Sequence, residues 1–232
     1  MKTFSRVVLL LLTGWVAAEN TFANDEINWL SPAEIKTLEA TEPPSPQMGS
    51  PADIEDVKAD LEAQKNRTPE QIQEAKTDFK VTLDLFARAI GPDFTEKNYP
   101  ATFDLLNGIK GEVGGIVHDS KHRWKRVRPY DAHPEIKPIF KVEDFSYPSG
   151  HSTLSTTWAV LLAMIFPDKA AAVQERARLI SESRVIAGVH YPSDIHEGEI
   201  LGQAIAQAFL AKPEFQANLA LAKAEAQAKA RK

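Results

Sequence analysis

The sequence predicts an all-α protein, a single helical bundle-like domain. Apolar residues recur at helical spacing in several segments, and no stretch alternates apolar and polar residues for long enough to build a sheet. Proline or a capping residue precedes most of these segments, as is typical of helix starts. With 232 residues, the chain has the size of one domain with a substantial core.

Residues 1–23 have the pattern of a secretory signal peptide. Lys2 and Arg6 supply a positive start, residues 7–18 an apolar run, and residues 21–23 a small-residue cleavage site, with a cut after Ala18 as the alternative. The apolar run is too short to favour a permanent membrane span. We therefore expect export to the periplasm.

The remaining chain divides into an extended N-terminal arm, residues 24–50, and a helical domain, residues 51–232. The arm has few apolar anchors, and Pro43, Pro44, Pro46 and Gly49 lie close together in it. No segment after the signal reaches the roughly 18 apolar residues that a membrane helix needs. We therefore expect no membrane insertion of the mature chain.

The helices of the domain have recognisable ends. Thr68-Pro69-Glu70-Gln71 is a capping box with proline at the first helical position, and the helix that it opens ends at Gly91-Pro92. Residues 101–124 predict the next helix, and a proline-punctuated loop follows over residues 129–147. Four more helices are predicted, over about 149–166, 168–188, 193–210 and 213–228.

The charge balance argues against one class of function. Without residues 1–23 the chain has 25 basic and 31 acidic residues and a net charge of −6, which disfavours nucleic-acid binding by bulk charge. Lys125 and Arg126, within the basic run that ends at Arg128, are interpreted as a solvated helix face. Cysteine is absent, so packing alone must hold an exported chain together.

Three short segments carry phosphate-handling chemistry. They are Lys121-x6-Arg128-Pro129, Pro148-Ser149-Gly150-His151 and Ser183-Arg184-x5-His190-x3-Asp194. Their three cations can neutralise a dianionic phosphoryl group, their two imidazoles can serve as nucleophile and proton donor, and the carboxylate can orient a ring. These groups are what phosphoryl transfer needs when no metal takes part.

The spacings within these segments suit one shared site. Asp194 lies four residues after His190, so the two can share a helical face, and Pro192 between them places the pair at a helix junction. Gly188 allows a bend that brings Arg184 to the same ligand. Residues 148–151 predict a helix start, whose free N–H groups and dipole would point at an anion.

Lys121 and Arg128 are seven residues apart, close to two helical turns, so both can face one ligand. His118 and His122 stand four apart, a geometry that also suits a zinc pair, but Asp119 replaces the expected glutamate and no third ligand is evident. No metal or cofactor is therefore expected. His133 and His196 are interpreted as exposed.

The three segments, in this order and spacing, resemble the shared signature of bacterial class A non-specific acid phosphatases, type 2 phosphatidic acid phosphatases and vanadium haloperoxidases. The likeness to the class A acid phosphatases is closer and covers most of the mature chain. It includes Arg126-Val127-Arg128-Pro129-Tyr130, Ser146-Tyr147-Pro148-Ser149-Gly150-His151 and Pro213-Glu214-Phe215-Gln216. Phe145 departs from the pattern, because these relatives usually have glycine there.

The resemblance implies a role for each residue of the site. His190 would be the nucleophile that forms a phosphohistidine, with Asp194 fixing its tautomer, and His151 would protonate the leaving group. The cations Lys121, Arg128 and Arg184 would clamp the phosphoryl oxygens, and Ser149 and the amide of Gly150 would complete the cradle. Ser183 matches the signature but is also explained by packing.

The sequence thus predicts a periplasmic, metal-independent acid phosphatase that acts on small phosphate monoesters at mildly acidic pH. Three alternatives stay open: a vanadium-dependent haloperoxidase, a soluble phosphatase specific for one nucleotide, sugar or lipid-derived (pyro)phosphate, and a non-catalytic phosphate-binding protein. By analogy with relatives, a homodimer or higher homo-oligomer is expected.

Overall fold

The computed structural model describes residues 28–231, and this part of the chain is all-helical, which confirms the predicted class. Its α-helices are α1 (Pro32–Ala40), α2 (Pro51–Asn66), α3 (Pro69–Thr77), α4 (Ala87–Ile90), α5 (Pro100–Gly108), α6 (Lys110–Trp124), α7 (Pro129–Ala132), α8 (Gly150–Ile165), α9 (Ala170–Ile186), α10 (Pro192–Leu210) and α11 (Pro213–Ala230). Short 3-10 turns span Leu83–Phe86 and Pro167–Lys169. The predicted signal peptide lies outside the described residues.

Helix α8 lies at the centre of the domain. Its Trp158 is fully buried in the main core, and the indole N–H donates to the carbonyl of Leu106 on α5 at 2.8 Å. Helices α9 and α10 both pack against α8, and α11 packs against α5. Of the helices in residues 28–231, none combines the length and apolar character needed to cross a membrane.

Two glycines allow α10 to approach α8 closely. A Cβ atom at Gly202 would lie 2.5 Å from the carbonyl oxygen of Thr153, and one at Gly198 would lie 2.6 Å from that of Ser149. Thr157 of α8 uses the same proximity to donate from its hydroxyl to the carbonyl of Gly202 at 3.0 Å. The contact places the start of α8 beside the start of α10.

Most predicted helix starts are confirmed. The Thr68 hydroxyl accepts from the amide of Gln71, and the amide of Thr68 donates to the side-chain oxygen of Gln71, as the capping box requires. Ser149 caps α8, and proline is the first residue of both α10 and α11. Caps and first-turn prolines act through hydrogen bonds and backbone angles within a few residues, so they predict helix starts whatever packs around them.

The prediction of an extended arm over residues 24–50 is wrong for its middle part, because α1 lies there. Ser31 and Glu34 form a reciprocal capping box with Pro32 at the first helical position. This is the same signature that identified the start of α3. Residues 24–27 lie outside the described residues.

Two predicted long helices are each divided. The helix expected over residues 68–90 ends at Thr77, and a turn and a 3-10 segment precede α4, which stops at Gly91 as predicted. The helix expected over residues 101–124 is interrupted at Ile109, after Gly108, because glycine propagates a helix poorly. The apolar positions expected to face inward there are all buried, namely Leu106, Ile109, Val113 and Ile116.

The α8–α10 contact yields a stability prediction. Gly202→Ala should lower the free energy of unfolding by about 1–3 kcal/mol, because the added methyl group would overlap the backbone of α8. Gly115→Ala in α6 is the control, since a Cβ there would meet nothing within 4 Å and should stabilise by about 0.5–1 kcal/mol. Urea denaturation measures both. Equal effects of the two substitutions would contradict the packing argument.

Candidate active site

A small cavity lies where the segment after α3, the end of α6, the start of α8 and the α9–α10 connection meet. Its volume is about 100 Å³, the share of roughly three water molecules in the liquid. Six of the eight predicted site residues line it, namely Lys121, Arg128, Gly150, His151, Arg184 and His190. Wider surface grooves of about 700 and 920 Å³ contain none of the eight.

Three buried cations define the chemistry of the cavity. Lys121, Arg128 and Arg184 have exposed fractions of only 6%, 5% and 1%. Each donates to backbone carbonyls, which are those of Phe145 and Ser146 for Lys121, Asp144 and Val189 for Arg128, and Ala75 for Arg184. Within residues 28–231, none of the three has a carboxylate oxygen within 4.0 Å. The other buried arginines, Arg126 and Arg176, are both paired with aspartates.

Burial without a counter-ion disfavours the charged form of these groups. Desolvation and the neighbouring Arg128 lower the pKa of Lys121 to about 7. Burial lowers the pKa of Arg184 to about 10 and also lowers that of Arg128. A site that pays this penalty in its empty state is matched to an anionic ligand.

Lys121 and Arg128 converge as predicted, but not through a shared helical face. Helix α6 ends at Trp124, and Lys125 adopts the left-handed conformation with φ of 49°. Arg128 follows on extended backbone, with φ of −65° and ψ of 150°. Lys125 is exposed, as expected.

The α9–α10 connection brings the third segment together. Arg184 lies in the last turn of α9, Gly188 turns the chain with a φ of +70°, and Pro192 opens α10. The side chains of His190 and Asp194 meet at this junction, with Nδ1 and Oδ2 3.2 Å apart. The predicted bend and the predicted pairing are both confirmed.

The neighbours of His190 fix its tautomer. Arg128 Nη1 lies 2.9 Å from Nε2, and a guanidinium can only donate, so Nε2 carries the lone pair. Nδ1 then carries the proton and donates to the carboxylate of Asp194. Burial and the charge of Arg128 lower the pKa of His190 well below its ordinary value, so the ring is neutral. The unprotonated nitrogen belongs to a ring that lines the cavity, as a nucleophile requires.

Asp194 is fully buried behind the ring and is held by four donors. They are His190 Nδ1, the hydroxyl of Ser146, the amide of Tyr191 at 3.0 Å and Arg126 Nη1 at 2.7 Å. Burial opposes ionisation, but the bond from His190 and the charge of Arg126 outweigh it and hold the pKa of Asp194 below its usual range. The carboxylate therefore stays charged and oriented.

The prediction that Arg126 belongs to a solvated helix face is wrong. Its side chain is buried, stacks over the Tyr191 ring at 3.9 Å and also binds Asp53 at 3.2 Å and Asp56 at 2.8 Å. The alternation Arg126-Val127-Arg128 was the one sequence pattern that could have indicated the burial of Arg126. On extended backbone it buries both arginines and exposes Val127.

The start of α8 supplies the remaining predicted residues. The first N–H groups of α8, which begin at Gly150, have no intrahelical acceptor, and Gly150 and His151 both line the cavity. Ser149 differs from prediction, because its side chain is buried and accepts from Ser152 as the helix cap instead of lining the cavity. Its amide donates to the carbonyl of Asp194 at 2.9 Å and so connects the starts of α8 and α10.

His151 contacts the backbone of the segment after α3. Its Nε2 lies 3.1 Å from the carbonyl oxygen of Phe79 and 3.4 Å from Arg184 Nη1. Burial and the charge of Arg184 lower the pKa of His151 to about 3 in the empty cavity. The pKa values of the two imidazoles are therefore both lowered.

Residues 105–216 match the PAP2 superfamily, and all three predicted segments lie within this range.

This chain carries a PAP2 superfamily domain.

Proteins similar to this chain include enzymes named as acid phosphatases. The non-specific acid phosphatase of Providencia stuartii is 28% identical over 193 residues, which cover 79% of this chain and 78% of the relative. The non-specific acid phosphatase of Salmonella typhi is 27% identical, with 94% and 91% covered. A bacterial vanadium-dependent iodoperoxidase has a similar fold, with a TM-score of 0.55 and 19% identity over 72% of this chain and 52% of that one.

Several other residues considered in the sequence analysis do not line the cavity. His122 uses Nδ1 to contact the carbonyl of His118, and no group of three potential metal ligands is arranged in residues 28–231. His196 is exposed as expected, but His133 is half-buried against Tyr191. Ser183 accepts from Arg184 and so orients that guanidinium.

Sequence reasoning missed the apolar wall of the cavity, formed by Phe79, Phe140, Val142 and Val189. Phe79 falls inside the single helix that was predicted from Thr68 to Gly91, whereas α3 ends before it, at Thr77. Phe140 and Val142 lie in a loop, where no periodicity reports which side chains face inward. Sequence reasoning also missed the bond from Ser146 to Asp194. Its only signal was that Ser146 belongs to the segment that resembles the acid phosphatase signature.

Asp60 of α2 gives a second stability prediction. It is 1% exposed, neither carboxyl oxygen has a partner among the described residues, and burial together with Asp194 and Asp56 raises its pKa to about 9. Between an unfolded pKa of about 3.9 and this value, only the folded chain binds the proton, so its stability falls as pH rises.

Asp60→Asn removes that proton. The stability of this variant relative to wild type should therefore increase from about pH 5 to 8, by at most about 1.4 kcal/mol per pH unit. Asp104→Asn, at an exposed position, controls for the loss of a carboxyl group. A difference that does not change with pH would show that Asp60 is already ionised in the folded chain.

Proposed function

We propose that this protein is an acid phosphatase that hydrolyses phosphate monoesters through a phosphohistidine on His190. One observation carries the proposal: three buried cations, with no carboxylate partner among residues 28–231, line one cavity with a buried imidazole, and Arg128 lies against its unprotonated nitrogen. The similarity to non-specific acid phosphatases supports it. The signal-like residues 1–23 support a periplasmic location.

In the first step, Arg128 Nη1 transfers its hydrogen bond from His190 Nε2 to a phosphoryl oxygen, and the freed lone pair attacks phosphorus as the bond from phosphorus to the ester oxygen breaks. The protonated His151 donates its proton to that oxygen, which leaves as an alcohol. The phosphorylated ring of His190 is cationic, and the Asp194 carboxylate stabilises it through Nδ1–H. Lys121, Arg128 and Arg184 neutralise the phosphoryl oxygens throughout.

In the second step, water attacks the phosphohistidine. The bond from phosphorus to Nε2 breaks, its electron pair returns to the ring, and the now neutral His151 accepts a proton from the water. Inorganic phosphate leaves, and both histidines return to their starting protonation. The two steps leave every residue in its starting state, and neither step requires a metal ion.

Protonation of His151 sets the pH dependence. Its pKa is low because of burial and Arg184, and phosphoryl oxygens bound to Arg184 would offset that charge and favour the imidazolium. An ester below its second pKa, about 6, also carries a proton into the cavity. Both effects favour turnover on the acidic side of neutrality, while His190 stays neutral and nucleophilic.

The nucleophile is tested by His190→Ala. This change should reduce hydrolysis of p-nitrophenyl phosphate by roughly four orders of magnitude or more, because no other group can form the intermediate. Quenching in alkaline denaturant during turnover should trap a radiolabelled adduct in wild type that is stable in base and lost in acid, and no adduct in the variant. The wild-type rate should decline between about pH 6 and 8.

Treatment with a chelator tests whether the two reaction steps proceed without a metal ion. EDTA should leave the wild-type rate unchanged, and reversible loss of activity would refute that part of the proposal. An active His190→Ala variant, or a wild-type enzyme that turns over without a trapped adduct, would refute the assigned nucleophile.

Arg126 is predicted to act on kcat through Asp194. Arg126→Lys keeps the charge but cannot reach Asp194, Asp53 and Asp56 together, and a lost charge-assisted bond of about 1.5–3 kcal/mol corresponds to a fall in kcat of roughly 10- to 100-fold. KM should change little, because the positive charge on His190 develops only during the reaction. Arg123→Lys, in the same basic run but paired with Glu39, is the control. Reduced stability with unchanged kcat would limit Arg126 to a folding role.

A further inference from the structure

The wall of the cavity has two chemically different parts. One part consists of the cations and imidazoles described above, and the other of Phe79, Phe140 and Val142. A phosphoryl group satisfies the first part but offers nothing to the second. Apolar lining beside a few convergent polar groups is typical of a pocket that also holds a carbon skeleton.

Phe79 and Phe140 form a pair at this apolar part. Their rings meet edge to face, with centroids 4.8 Å apart and an interplanar angle of 89°. Phe140 packs against the small cluster around Tyr130 and Val189, and the guanidinium of Arg184 lies 5.4 Å from its ring. Phe140 is thus fixed on one side by packing and on the other by a phosphate-binding residue.

Phe79 has no such structural task. Its side chain is 43% exposed and belongs to neither apolar cluster of the described residues. An exposed ring next to three cations loses hydrophobic free energy unless a ligand covers it. The ring is therefore available to a bound molecule.

The direction of the reaction places the leaving group at this pair. In-line attack by His190 requires the departing oxygen on the far side of phosphorus from Nε2. That oxygen must also lie within hydrogen-bond reach of His151, its proton donor. His151 Nε2 is 3.1 Å from the carbonyl of Phe79, so the carbon atoms beyond the departing oxygen lie beside Phe79 and Phe140.

We propose that Phe79 and Phe140 form a leaving-group subsite that favours phosphate monoesters of aromatic or other apolar alcohols over those of polyhydroxy alcohols. This inference rests on the proposed function, because it uses the positions of the attacking and proton-donating histidines. An aromatic leaving group adds a third ring to the pair, whereas a polyhydroxy group would lose hydration against it.

The test compares phenyl phosphate with glycerol 2-phosphate in wild type, Phe79→Ala and Phe79→Leu. The ratio of their kcat/KM values should fall about 3- to 10-fold in Phe79→Ala and less in Phe79→Leu, and inherent differences in leaving-group reactivity cancel between variants. The inhibition constant of inorganic phosphate, which has no leaving group, should not change. Leu179→Ala, at a similarly exposed apolar position on α9, should leave the two kcat/KM values and the inhibition constant of phosphate unchanged.

Binding of non-hydrolysable probes separates this proposal from the proposed function. Phenylphosphonate should bind wild type more tightly than methylphosphonate does, and Phe79→Ala should remove most of that difference in calorimetric titrations. An unchanged ratio and an unchanged probe difference in Phe79→Ala would overturn the subsite while leaving the phosphatase intact. A wild-type chain that hydrolyses neither ester would overturn the proposed function. If phenylphosphonate and methylphosphonate also bound that chain equally well, the subsite would be overturned as well.

Discussion

The free energy of burying three cations at one small cavity constrains the rest of this structure. Lys121, Arg128 and Arg184 lose hydration, which lowers the pKa of each, and the charge of Arg128 lowers that of Lys121 further. A carboxylate beside them would relieve the penalty but would also compete with substrate. The chain instead satisfies their N–H groups with neutral carbonyls, which leaves the charge available to a phosphoryl dianion.

This solution explains why irregular backbone surrounds the site of an all-helical protein. Carbonyls inside a helix are occupied by its own ladder, so free acceptors occur only at helix ends and in loops. Ala75 provides one from the last turn of α3, and Val189 provides another from the α9–α10 connection. The loop before α8 provides the carbonyls for Lys121. The early end of α3 is therefore needed by the site.

The sequence was sufficient for those features that follow from local rules or from a linear motif. Caps and prolines located α8, α10 and α11, and the signature residues located six residues that line the cavity. It was insufficient where long-range pairing decides the outcome. Arg126 is buried because Asp53 and Asp56 approach from α2, about 70 residues away, and Phe79 is exposed because α3 ends before it. Neither fact has a periodic pattern that a single sequence displays.

The two sides of His190 carry opposite charge, and this arrangement connects the fold with the chemistry. Arg128 lies on the side of Nε2, and Asp194 lies on the side of Nδ1, with Arg126 shared between it and two aspartates of α2. Attack by Nε2 moves positive charge onto the ring, toward the carboxylate, and leaves negative charge among the cations. Because both groups are fixed by buried contacts before substrate binds, little reorganisation is required when the charge moves. The α8–α10 contact keeps them in place, since the amide of Ser149 donates to the carbonyl of Asp194.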